Sequence, residues 1–162
     1  MDRLVFLLGT GLARGAVLAL FALSLVLVWR AARVVNFAQG AMAVTATYVA
    51  YVVTRTTGSF VVGLVAALVA GAALGWAVER GLMRRVAGSS PLAGVIVAIG
   101  LVMILQSALG IIVGGRTLPV EAPFDERPIS VGGIPLLSPY DLFVLVVALV
   151  VMAGLGLLFT RT

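Results

Sequence analysis

The sequence predicts an all-α fold: a polytopic membrane helix bundle of about five transmembrane helices, with a small extracytoplasmic β-hairpin loop. Three observations predict it. Of 162 residues, 62% are hydrophobic and 10% charged, with a mean hydropathy of +1.24, which leaves too little polar surface to cover a water-soluble globule. The apolar residues gather into five runs, and a hydrocarbon core about 30 Å thick needs roughly 20 residues of helix at about 1.5 Å each. Residues 116 to 140 have the opposite character. They hold Pro119, Pro123, Pro128, Pro135 and Pro139 of six prolines, with Glu121, Asp125 and Glu126, and Asp141 follows directly.

The first run, Leu4 to Trp29, follows Arg3 as a secretory signal would. It is too long for one and ends in Trp29-Arg30 rather than at small residues, so it belongs to the mature protein. Its Gly9-Thr10-Gly11 break and Arg14 leave two arrangements. Either one helix carries Arg14 deep in the bilayer, or residues 2 to 12 lie along the interface and the span starts near Arg14. A lone Arg at membrane centre costs at least a few kcal/mol while an interfacial one can snorkel, which favours the second. The second run, Gln39 to Val53, is short; Asn36 with Gln39 three residues on forms a capping-box pattern that starts a helix at Phe37. The third run is Phe60 to Val78. The fourth, Leu92 to Val113, follows Ser90-Pro91, and the fifth, Leu142 to Thr160, follows Ser138-Pro139-Tyr140-Asp141; each pairs a cap with proline at the first helical position. Within residues 116 to 140, an aqueous loop, the stretch from Pro128 to Leu137 reads as a small hairpin about Gly132-Gly133.

With five crossings, one side receives Arg30, Arg33, Arg80, Arg84, Arg85 and Arg161 against Glu79. The other receives Arg3, Arg55, Arg116 and Arg127 among five acids. The positive-inside rule makes the first side cytoplasmic, placing the N-terminus outside and the C-terminus inside.

No Cys and no His occur, which excludes disulfides, thiol nucleophiles, the usual zinc sites and imidazole acid/base chemistry. There is no phosphate-cradling loop and no paired carboxylate site, so the sequence points to no enzyme, no metal and no cofactor. The arginines lie singly or in short clusters between apolar runs, without the basic stripe that would suit nucleic acid. Gly63, Ala67, Gly71 and Gly75 recur every four residues on the third run. Such a face lets a second helix approach closely, and packing is a stronger reading than a glycine-lined pathway. Polar residues within spans are few: Gln39, Thr45, Thr47 and Tyr48, then Gln106 and Ser107. A buried amide in lipid needs partners, so Gln106 is expected to face protein or a water-filled path. Bonding to a neighbouring helix is the plain reading; a polar solute route past Gln39 and Gln106 is the sharper one.

The stretch Arg33-Val-Val-Asn36-Phe37-Ala38-Gln39-Gly40, with Tyr48 eight residues after Gly40, resembles the signature of permease subunits of ABC importers for branched-chain amino acids. The pattern from Gly11 to Leu20, and the run from Glu79-Arg80 through Ser90-Pro91-Leu92 to Leu105-Gln106, are similar to that family too. Gln39 stands where the family has His, Ala41 where it has an acid, and Ala46-Thr47 where it has Gly-Ala. Members are longer, continuing past a helix like Leu142 to Thr160 into a cytoplasmic coupling loop. The resemblance therefore implies that residues 1 to 162 are a single transmembrane domain, the N-terminal portion of a multi-pass permease of the bacterial plasma (inner) membrane. It implies as partners a second permease subunit, two cytoplasmic ATPase subunits that hydrolyse ATP, an extracytoplasmic solute-binding protein and the lipid bilayer, with no nucleic acid. The substrate-path candidates it marks are Asn36, Phe37, Gln39 and Gly40, joined by Thr47, Tyr48 and Gln106. A small self-assembling channel or exporter, or a transport-incompetent piece, is the competing expectation.

Overall fold

A computed structural model describes residues 2–32, 36–86, 91–114, 118, 124–125, 127–131, 134–135 and 137–161. The described elements are α1 (Asp2–Ala32), α2 (Gln39–Thr57), α3 (Phe60–Val78), a π-helical turn (Glu79–Met83), α4 (Arg84–Val86), α5 (Pro91–Val113), β1 (Ser130–Val131), β2 (Ile134–Pro135) and α6 (Pro139–Arg161). They form two compact units, Met1–Ser24 with Glu121–Thr162, and Leu25–Val120. Among the described residues, four stretches are long and apolar enough to cross a membrane: Phe6–Arg30, Phe60–Val86, Leu92–Val113 and Pro139–Leu157. The run Gln39 to Val53, the remaining one of about five expected, is not among them. The helix left out is α2, where five Thr, two Tyr and Arg55 dilute the apolar content that lipid solvation demands.

In the Leu25–Val120 unit, α2 turns back into α3 at Gly58, whose φ of 69° is open to glycine at little steric cost. Its N–H donates to the Thr54 carbonyl at 2.8 Å and closes α2. The two helices then lie face to face. A Cβ built on Gly71 would meet Ala46 Cβ at 3.6 Å, and one on Gly75 would meet Met42 Cε at 3.9 Å. At Gly63 it would collide with the Thr54 hydroxyl and come within 2.9 Å of the Ala50 carbonyl oxygen. Met42, Ala46, Ala50 and Thr54 repeat every four residues opposite glycines repeating every four. Lipid offers little hydrophobic drive, so the pair is held by the dispersion contacts that this backbone approach permits.

The helix begun by α3 continues through the π-helical turn, where the Arg84 N–H donates to the Glu79 carbonyl, a bond spanning five residues. The wider turn brings Glu79 and Arg84 together at 3.5 Å; both are solvent-exposed, so the pair adds little stability. Arg80 sits over the Trp76 ring at 5.7 Å. Beyond the turn, Met83 packs on the cluster of Ala38, Val78 and Leu101, joined by Met42, Leu74, Val102 and Leu105. Val78 lies eight residues before Val86, and Leu101 ten residues after Pro91. At about 1.5 Å per residue, the start of α2 is recessed by about 12–15 Å from that end of the unit. The expected Ser90 cap of α5 lies outside the described residues; Pro91 does occupy its first position.

In the other unit, α1 runs unbroken through Gly9-Thr10-Gly11, which corrects the expected break. The Thr10 hydroxyl bonds the Phe6 carbonyl at 3.0 Å, and glycine lowers helix propensity by only about 1 kcal/mol. A Cβ on Gly9 would lie 2.9 Å from Leu137 Cδ2, and Arg14 and Val17 share a groove with Ser138, Asp141 and Val144. Leu137 and the first turns of α6 thus lie against the first half of α1. The Ser138 hydroxyl accepts from the Asp141 N–H at 3.0 Å, and Asp141 Oδ2 accepts from the Ser138 N–H at 3.4 Å, a reciprocal cap with Pro139 at the first helical position. Ser138→Ala is expected to destabilise this helix start by about 1 kcal/mol, read as faster amide exchange at residues 140–142. β1 and β2 pair antiparallel, Ser130 with Pro135 and Val131 with Ile134; the Gly132-Gly133 turn lies outside the described residues. Phe124 packs on Phe143 with ring centroids 5.0 Å apart.

Candidate functional site

The turn ahead of α2 is held by Asn36. Its Oδ1 accepts from the Ala38 N–H at 3.1 Å, its carbonyl accepts from the Gln39 N–H at 3.2 Å, and its Nδ2 lies 3.5 Å from Met42 Sδ. The first four-residue helical bond runs from the Met42 N–H to the Ala38 carbonyl at 2.9 Å. So α2 begins at Gln39, two residues later than the capping-box reading: Asn36 caps a tight turn through Phe37 and Ala38 rather than the helix itself. Ala38 is fully buried against Val78 and Leu101, while Phe37 is 55% exposed. Gln39, whose Oε1 is buried, and Gly40 are half-buried. The turn is therefore clamped on its Ala38 side and open on its Phe37 side.

The other candidates do not converge on it. Thr47, exposed, bonds the Ala43 carbonyl at 2.9 Å. Tyr48 stacks on Tyr51 with ring centroids 6.2 Å apart, and Tyr51 in turn accepts from Arg55 Nη1 at 2.8 Å. Both lie eight residues beyond Gln39 and Gly40, about 12 Å along α2. Gln106 is exposed on α5. Two participants escaped the sequence reading, Ala38 and Met42. The series Ala38, Met42, Ala46, Ala50, Thr54 is the signal that could have found them, since it continues the α3-facing stripe into the turn.

The first unit carries a separate polar feature, a groove of about 450 Å³ lined by Thr10, Arg14, Ser138, Tyr140 and Asp141 together with apolar Phe6, Val17 and Val144. Among the described residues there is no cluster of acids able to hold a metal ion.

A profile of the family described as branched-chain amino acid transport system / permease component matches residues 7–162. The chain is 30% identical to the high-affinity branched-chain amino acid transport system permease protein LivH of Escherichia coli (strain K12), over 72% of this chain and 41% of that protein. It is 27% identical to LivH of Salmonella typhimurium over the same shares. The chain thus spans about two fifths of the length of these curated relatives. No solved structure matches.

Proposed function

This chain belongs to the branched-chain amino acid transport system permease family, and from that premise we propose that it forms membrane-spanning helices of a permease subunit of an ABC importer for branched-chain amino acids or a related small polar solute. The match along residues 7–162 carries the reading, and the four apolar helices agree with an integral membrane protein. With α2 as a fifth crossing, its place is the bacterial plasma membrane, with the N-terminus outside, the C-terminus cytoplasmic and the β1–β2 loop extracytoplasmic, as the arginine distribution over five crossings supports. Its partners are a second permease subunit, two ATPase subunits that hydrolyse ATP in the cytoplasm, and an extracytoplasmic solute-binding protein. The solute crosses between permease subunits while ATP binding rocks the helices between two packings, so this chain contributes a path and a bistable arrangement, without covalent chemistry.

The turn before α2 is our choice for the path. It is recessed from one end of its unit and presents Phe37, Gln39 and Gly40 beside irregular backbone, and non-helical backbone at membrane depth is tolerated where it is buried in protein or lines a cavity. Asn36 holds that backbone. Thr47, Tyr48 and Gln106 extend the path beyond it.

In membranes carrying the assembled transporter, Asn36→Ala is expected to lower ATP-dependent leucine uptake by a factor on the order of ten, what losing a buried hydrogen bond of roughly 1–2 kcal/mol would do. Thr56→Ala, at an exposed residue whose hydroxyl donates to the Val53 carbonyl of its own helix, is expected at matched abundance to leave uptake near wild type. Equal uptake in the two variants would remove the turn from the path. Leucine, isoleucine and valine uptake that persists without ATP would remove the importer itself.

A further inference from the structure

We propose that the groove between the first half of α1 and the start of α6 binds a small zwitterion, with Arg14 taking its anionic group, Asp141 its ammonium group, and Val17 and Val144 its apolar part. The source of that zwitterion rests on the importer reading: it is a free amino acid with an apolar side chain, and a phosphatidylethanolamine headgroup shares the same chemistry.

The first observation is a pair of opposite charges that share a cavity without touching. Arg14 and Asp141 line the same groove of about 450 Å³, space for roughly fifteen waters and within the usual range of ligand pockets. Yet the ion pair among the described residues is Arg84 with Glu79, so neither Asp141 nor another described acid comes within 4.0 Å of the Arg14 guanidinium. An arginine in an apolar helix is costly unless an anion meets it. Asp141 commits Oδ2 to the Ser138 N–H and retains Oδ1 for a cation. A molecule bearing both charges satisfies the two residues at once, whereas an anion alone would be repelled by Asp141 and a cation alone by Arg14.

The second observation is the remainder of the lining. Thr10 and Tyr140 add hydroxyls, and Val17 and Val144 add an aliphatic wall, the mixture that fits a charged head on a branched hydrocarbon. The third is position. Pro139 opens both α6 and its candidate membrane span, so the α6 side of the groove, Ser138 to Asp141, lies where the chain passes from water to hydrocarbon. A zwitterion binds there without complete dehydration.

The test uses the whole chain in phosphatidylcholine nanodiscs, with tritiated L-leucine measured by scintillation proximity. Leucine is expected to bind saturably. Leucinamide, which lacks the carboxylate, and 4-methylpentanoate, which lacks the ammonium, are each expected to compete roughly tenfold or more weakly, the effect of one lost charged hydrogen bond. Arg14→Gln and Asp141→Asn should each weaken binding by a similar factor. The asparagine keeps an oxygen for the Ser138 N–H, so the cap survives, and Arg55→Gln on α2 should bind as wild type.

If leucine does not bind but native mass spectrometry of mixed-lipid nanodiscs shows phosphatidylethanolamine retained over phosphatidylcholine in an Arg14- and Asp141-dependent way, the site stands and its occupant is lipid. Wild-type leucine affinity in Arg14→Gln, equal competition by leucinamide, or retention of neither zwitterion would overturn the proposal. So would a double-mutant coupling between Arg14 and Asp141 in a chain that binds nothing, which would mean that the two pair directly. Binding is measured on the chain alone. Leucine binding here with no ATP-driven uptake in the assembled complex would therefore defeat the importer reading and spare the site, and the reverse result would do the opposite.

Discussion

Gly63→Leu is expected to separate α2 from α3. A single Cβ at that position already strikes the Thr54 hydroxyl and comes within 2.9 Å of the Ala50 carbonyl oxygen; the second is backbone and has no rotamer to move away. Overpacking of this kind costs about 1–3 kcal/mol in ordinary cores, and leucine adds three more carbons beyond the first clash. Because the chain has no cysteine, the pair can be read directly. Ala46 Cβ and a Cβ at Gly71 would be 3.6 Å apart, within the range a disulfide spans. The double substitution Ala46→Cys, Gly71→Cys should therefore oxidise to a cross-linked form in an otherwise wild-type chain. Adding Gly63→Leu should suppress most of that cross-link and lower the melting midpoint in detergent by about 2–4 °C per kcal/mol lost. Thr54→Ala in the same background should restore only part of it, since the carbonyl contact remains. Full cross-linking in the leucine variant would show that the face tolerates separation.

Ala38→Leu carries the second large effect. Ala38 is fully buried between Val78 and Leu101, so three added carbons have no space, and the turn that Asn36 closes must open or α5 must move. A loss of about 1–3 kcal/mol is expected, together with near-complete loss of leucine uptake in the assembled transporter. Leu101→Ala, combined with it, vacates volume on the facing helix and should recover much of the stability. Asn36→Ala separates the two contributions, because it removes the turn's hydrogen bonds and leaves the Ala38 packing in place. Wild-type stability in Ala38→Leu would place the clamp elsewhere.

The helices were legible where their signals are local. Phe60–Val78 coincides with its apolar run, and the starts at Pro91 and Pro139 follow from a proline that accepts a first-turn position and little else. Three features were not. The start of α2 depends on a side chain: Asn36 can cap a helix or a turn, and its choice is decided by Ala38 sinking into a cluster built from α3 and α5, which sequence spacing does not reveal. The glycines before Arg14 look like a break, yet nothing there competes with the helix, as the Thr10 hydroxyl folds onto its own preceding turn. The π-helical turn hides inside continuous helix-forming residues, since one surplus residue leaves hydropathy untouched. The candidate turn was found through its motif. The groove was beyond reach, because Arg14 and Asp141 lie far apart in the chain and only the fold brings them to one groove.

The surplus residue at Glu79–Met83 has a consequence for what changes this chain tolerates. Everything after it is swung by about 100° around the helix axis relative to an uninterrupted spiral, which re-aims Arg84 and Arg85 while the glycine face below keeps its phase. The helix thus has slack at one place only. A shortening there is taken up by tightening the wide loop into an ordinary coil, whereas the same shortening anywhere between Gly63 and Gly75 would throw each small residue out of step with its opposite number on α2.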